Sequence, residues 1–303
     1  MSCAVLYHAA EVLAPDGRLR IMAPGARFRP GPAYRGLRPP VVSTDAEEAG
    51  AHCPAAFHAW TVLLHEDGAV SGARRQETCF GDPMPHCMCP SDPAVRAYCE
   101  DVVADLASRP WVDGLDVESL YFGQWPHEWH HVKYGVAPER VALSTCFCTA
   151  CCDRAQALGV DWRAAHMDAR KRALCQLPPA KAPSAYDRVR CDTISSLLAA
   201  CSRAARGKPF RPILAGGLLS TPWQVGVDPE AWRQHDVIVT LYGDAARKAE
   251  QAHALLGPFV AGLNVCDPYY AEFAPVPQAR EYAIYHAGLV PPERLRLPAA
   301  GQP

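Results

Sequence analysis

The sequence predicts an α/β protein built as a (β/α) TIM-type barrel. Three observations lead there. Short apolar runs bounded by turn residues alternate with amphipathic stretches, the order of strands and covering helices. Most of the runs lack strict polar alternation, as strands covered on both faces do. No GxGxxG or P-loop sequence follows any run, which disfavours an open, doubly wound nucleotide-binding sheet. The chain has 303 residues, 49% apolar and 20% charged, enough for one large core. A single domain over residues 1–303 is expected, with a surface excursion rich in Pro, Gly and Arg at about 15–50.

Strands are expected at 4–9, 57–65, 114–122, 212–216, 237–242 and 260–265. Six are visible, so one or two of the standard eight are absent or hidden. Helix 94–108 opens with Asp92 as N-cap and Pro93 in its first position, and it lines up Val95, Tyr98, Cys99, Val102 and Leu106 on one stripe. A long helix over 138–158 stops at Gly159. Residues 162–175 read as helical, ahead of a Pro-rich break. Helix 187–206 ends at Gly207, and shorter helices are expected at 245–256 and 278–287.

Composition removes several functions. With 30 basic and 32 acidic residues the net charge is -2, so no charge excess calls for nucleic acid or an anionic membrane surface. No apolar run reaches the roughly 18 residues of a membrane helix. The first eight residues lack a charged and then apolar leader, so a cytoplasmic location is expected. Fourteen cysteines in a reducing compartment point to metal or catalysis before disulfides.

Cys146, Cys148 and Cys151 form a C-x-C-x-x-C cluster that presents three thiolates to one point, as a tetrahedral zinc site requires. The competing reading is a helix start rich in small buried thiols. A fourth ligand must come from elsewhere, with Cys89 favoured over Cys87, and Cys152 reads as a spare thiol. Four sulfurs would close the site and make it structural.

The strand 114–122 carries Asp116 and Glu118 two residues apart, hence on one face. Active sites of such barrels sit at the C-terminal strand ends, so Glu118 is the natural general acid or base and Asp116 its deeper modulator. A structural network with arginines is the alternative. The loop that follows holds Tyr121, Trp125, His127, His130 and His131, suited to stacking on sugar rings and bonding hydroxyls. Tyr7, His8, Trp60, His65 and Tyr242 fall on or at the ends of other strands and would complete the mouth. Each of those histidines alone is more often a packed core residue. Asp244 and Asp267 are the acidic partners available to Glu118, or simple helix caps.

Cys89-Pro90-Ser91-Asp92-Pro93, then Gly114-Leu-Asp-Val-Glu118, then the cysteine cluster resembles a motif order found in family 42 β-galactosidases. Stretches such as His58-Ala-Trp60 through His65 and His127 through His131 are also similar to bacterial barrel proteins of glycosyl-hydrolase type. The match covers about residues 55–155. It implies a glycoside-hydrolase-like TIM barrel, with Glu118 as acid/base and Cys89, Cys146, Cys148 and Cys151 on structural zinc. Val117 stands where that family has Asn. No late-strand Glu stands for its nucleophile; Glu272 lies a few residues past a strand.

The function expected is glycoside hydrolysis on a small-molecule or oligosaccharide substrate, by carboxylate acid/base catalysis. One rival is an inactive barrel that binds carbohydrate or a partner. The other is a metal-dependent hydrolase using His127, His130 and His131. The sequence carries no signal for an oligomeric state.

Overall fold

The computed structural model describes residues 10–13, 19–23, 57–65, 72–124, 138–242, 248–264, 276 and 278–285. Its strands are β1 (Ala10–Leu13), β2 (Leu19–Ala23), β3 (Phe57–Val62), β4 (Arg75–Glu77), β5 (Pro83–Met88), β6 (Gly114–Glu118), β7 (Phe210–Ala215), β8 (Thr240–Tyr242), β9 (Phe259–Asn264) and β10 (Ala279–Tyr285). Hydrogen-bonded neighbours run β1-β10-β9-β8-β7-β6-β3-β2, and β2 pairs again with β1, so the pairing closes on itself. From β2 round to β10 the pairs are parallel, and β1 runs antiparallel to both of its neighbours.

The register sorts the side chains. Trp60 pairs with Asp116, Asp116 with Arg211, Ile213 with Thr240, and Thr240 with Val260. Cross-strand partners share a face, so these residues point inward together. Ile213 and Val260 make a small apolar cluster with Trp60, Ile238 and Tyr242. The alternate residues Ala59, Leu115, Val117, Leu214, Leu241 and Ala261 belong to the main core outside the ring. There they meet Val95, Val102 and Leu106 of α1 (Pro93–Ser108) and Ile194, Leu197 and Leu198 of the later helix Ala185–Ala204. Each such aliphatic residue contributes roughly 1.5–3 kcal/mol on burial.

Local chemistry starts the helices where needed. Asp92 Oδ1 accepts from Ala94 N at 3.0 Å and Val95 N at 3.2 Å, with Pro93 in the first position of α1. The next helices are α2 (Pro138–Leu143), α3 (Thr149–Ala157), α4 (Trp162–Leu174) and α5 (Ala185–Ala204). Ser184 and Asp187 form a reciprocal capping box on α5. Two short helices follow, α6 (Pro229–Arg233) and α7 (Ala249–Leu256).

The structure corrects the sequence reading in four places. Residues 279–285, expected as helix, form β10, because β9 and β1 offer hydrogen-bonding edges on its two sides. The helix expected over 138–158 is broken into α2 and α3, because the intervening cysteine segment bonds to β4: Phe147 N donates to Glu77 O at 2.8 Å. Part of the expected excursion at 15–50 is the ring strand β2. The hairpin β4–β5 was not foreseen. It is seated on the end of β3 by Met88 N donating to Leu64 O at 2.8 Å and by a bridge between His65 and Cys87. The expected strand at 4–9 lies outside the described residues. Among the described residues no helix is long and apolar enough to cross a membrane.

Candidate active site and metal centre

The floor of the inner face is set by a glycine. A Cβ on Gly114 would lie 2.7 Å from both ring nitrogens of His58, so this position must be bare for the imidazole to lie across β6. His58 Nδ1 then reaches Asp116 Oδ2 at 2.9 Å, and Thr240 Oγ1 donates to Asp116 Oδ1 at 3.3 Å from the far strand β8. Asp116 and His58 are fully buried, so both carboxylate oxygens are satisfied without water. Beside this network Arg211 Nη2 contacts Glu281 Oε2 at 2.7 Å, also buried. Sequence reasoning missed this pair, although an Arg inside the apolar run Phe210–Ala215 is the signal that could have shown it.

Glu118 stands two residues above Asp116 on the same face, at the last position of β6. Burial pushes its carboxyl up to about 7, and the neighbouring Trp60 indole pulls the other way. At neutral pH a large share of Glu118 therefore carries a proton it can donate. The next residue, Ser119, sits at φ 59, the left-handed region that a serine adopts at a cost of roughly 1 kcal/mol. Its reversal turns the chain out of the strand directly after the carboxyl.

Tyr121, His65 and Cys87 meet where the hairpin β4–β5 abuts the end of β6. With Leu64, Ser119, Gly123 and Gln124 they line a small cavity. Gly123 is bare because Cys87 occupies the space where its Cβ would be. Burial, and then the nearby Glu118 charge, push the Tyr121 phenol up. The His65 ring stacks on His86 with centroids 5.8 Å apart. Trp60 and Tyr242 pack against the inner cluster of Ile213 and Val260. Tyr7, His8, Trp125, His127, His130, His131, Asp244 and Asp267 lie outside the described residues.

The cysteine segment makes a second centre. The Sγ atoms of Cys89, Cys146, Cys148 and Cys151 lie within 4.8 Å of one another, and all four residues are buried. Cys148 is the N-cap of α3 and Cys151 lies in its first turn, so the helix start folds two ligands toward one point. Cys146 precedes them, held by Glu77 N at 3.4 Å from its sulfur and by Tyr186 Oη donating to its carbonyl at 2.6 Å. Cys89 arrives from the end of β5, with its sulfur 3.4 Å from Cys151 Sγ and 3.3 Å from Cys148 Sγ. A tetrahedral ion with bonds of about 2.3 Å to sulfur has sulfur–sulfur edges of about 3.8 Å, so the cluster needs only small adjustments to hold one. Hydrogen bonds from Cys146, Cys151 and Cys89 hold the Cys148 thiol far below its ordinary value, while Cys89 and Cys151 are pushed up. A further buried thiolate at Cys89 or Cys151 needs a counter-charge, which a cation would supply. Cys152 stays apart, donating to Phe147 O at 3.3 Å.

No family model matches the chain, and no curated protein matches it. Solved structures that resemble it include glycoside hydrolases at low identity. The PgaB (BpsB) glycoside hydrolase domain from Bordetella bronchiseptica is 13% identical, with a TM-score of 0.44 over 82% of this chain and 70% of that one. A β-galactosidase from Bacillus circulans sp. alkalophilus is 14% identical, with a TM-score of 0.43 over 71% of this chain and 36% of that one. A β-galactosidase from a psychrophilic Marinomonas is 9% identical, with a TM-score of 0.45 over 78% of this chain and 38% of that one. The chain thus spans well under half the length of either β-galactosidase.

Proposed function

We propose that the chain is a TIM-type, glycosidase-like barrel forming one domain, in which Glu118 donates a proton to the leaving oxygen of a glycosidic bond. The observation that carries this reading is a carboxyl at a strand end on the inner face, raised to about 7 by burial. That value keeps an acid protonated at the pH where it must act. Asp116, held by His58 and Thr240, supports β6 below it rather than reaching the substrate. Trp60, Tyr242, Tyr121 and His65 would present rings and an imidazole to the sugar, with Tyr7, His8, Trp125, His127, His130 and His131 completing the mouth. Asp244 or Asp267 would be the second carboxylate. Cys89, Cys146, Cys148 and Cys151 would bind zinc, which with four sulfurs leaves no open position for catalysis and serves to fasten the hairpin β4–β5 to α3. A panel of methoxyphenyl glycosides, whose leaving group needs a proton, assayed with the wild type and Glu118→Gln, tests the proposal. Turnover by the wild type that falls by about 100-fold or more in the variant is expected. A sugar that binds both proteins equally and is turned over by neither contradicts hydrolysis and favours a binding protein.

A further inference from the structure

A groove of about 520 Å³ lies on the outside of the ring, between α2, α4 and α5. That volume suits a small organic molecule, for which pockets run from roughly 300 to 1,000 Å³. The groove exists because the facing helical positions are small: Ala142, Ala164, Ala165 and Ala169 leave space where larger side chains would meet. Three aromatic residues give it apolar walls. Phe147 and Tyr186 stack with centroids 5.0 Å apart and planes 6° apart, and Trp223 also lines the groove.

The polar part of the lining is not balanced. Asp161, Asp168 and Asp187 face a single guanidinium, Arg172. Arg172 is already committed, with Nε 2.6 Å from Asp168 Oδ2 and Nη1 donating to Pro178 O at 2.6 Å. Asp187 is matched from below by Arg190 at 3.2 Å. Asp161 caps α4 through Oδ1, which accepts from Arg163 N at 3.0 Å and Ala164 N at 3.4 Å. Among the described residues no cationic side chain pairs with it. The site therefore offers an apolar groove with one carboxylate at its edge, Asp161, that no cationic side chain among the described residues offsets.

We propose that this groove is a second ligand site, separate from the barrel mouth, that takes a small organic cation with a planar apolar body. The body would lie against these aromatic residues and the alanine floor, and the ammonium would sit at the Asp161–Asp168 edge. Cations are further favoured close to aromatic faces. An anion of the same shape would meet the carboxylates and be rejected.

Tryptamine and indole-3-propionate are the probes, titrated into the full-length protein and followed by backbone amide NMR shifts. Tryptamine should shift the amides of Thr145, Phe147 and Tyr186 and bind about 10-fold or more tightly than the anion, since a charge-assisted contact replaces a repulsive one. Asp161→Asn keeps the helix cap and removes the charge, so it should weaken tryptamine by about 5-fold or more without lowering the melting temperature. Ala164→Trp, at an exposed position, should fill the slot and abolish the shifts. Equal affinities for the two probes, no shifts at millimolar tryptamine, shifts that survive Ala164→Trp, or shifts confined to inner-face residues such as Trp60 would each overturn the proposal. None of these readouts depends on glycoside turnover.

Discussion

Replacing Glu118 by Gln should change the pH dependence of stability in a calculable way. The carboxyl rises from an ordinary value of 4.5 to about 7 in the folded chain. Below pH 4.5 it is protonated in both states and contributes no pH dependence. Between 4.5 and 7 the unfolded chain ionises while the folded chain keeps its proton, so the unfolded state binds fewer protons and stability falls as pH rises. A shift of about 2.5 units at about 1.4 kcal/mol per unit amounts to roughly 3 kcal/mol, reached above pH 7. Glutamine cannot ionise and is free of this loss. Urea unfolding of both proteins at pH 4 and pH 8 measures the difference. The variant should gain about 3 kcal/mol relative to the wild type between the two pH values, most of it before pH 7. A difference between the two proteins that stays constant within about 0.5 kcal/mol across that range would refute the reasoning, because it would mean that burial does not hold the proton.

Three other outcomes follow from the same contacts. Gly114→Ala should cost about 1–3 kcal/mol by thermal unfolding, since its Cβ has no room beside the His58 ring. Arg211→Met should cost about 3–5 kcal/mol because it removes the guanidinium paired with the buried Glu281 carboxylate, and adding Glu281→Leu should recover most of that loss. Protein purified under reducing conditions should carry about one zinc per chain by elemental analysis, and Cys148→Ser should lose it together with several degrees of melting temperature.

The parts legible in the sequence were those set by neighbouring residues. The cores of β3, β6, β7 and β9 stood out as apolar runs, and the cap and stripe of α1 could be read directly. The C-x-C-x-x-C spacing brings Cys148 and Cys151 to one helix start, with Cys146 two residues ahead of it. Cys89 was harder, because its approach depends on the hairpin β4–β5, whose strand Pro83–Met88 carries prolines at 83 and 85. β10 was misread because Ala279–Tyr285 holds Arg280 and Glu281, which look helical until the edges of β9 and β1 are there to pair. Asp116 and Glu118 announced themselves as two carboxylates in an apolar strand. Their partners did not: Thr240 reaches Asp116 only through the register of three strands, across 124 residues of chain.

In the proposed reaction Glu118 donates its proton to the leaving group. The direct measurement is kcat/KM of wild type and Glu118→Gln on two glycosides of the same sugar, one with a dinitrophenyl leaving group and one with a methoxyphenyl group. The dinitrophenolate departs without a proton, so the variant should retain most of its activity there. On the methoxyphenyl glycoside it should lose about 10²–10⁴-fold. An equal loss on both substrates, or none on either, would contradict the acid role assigned to Glu118.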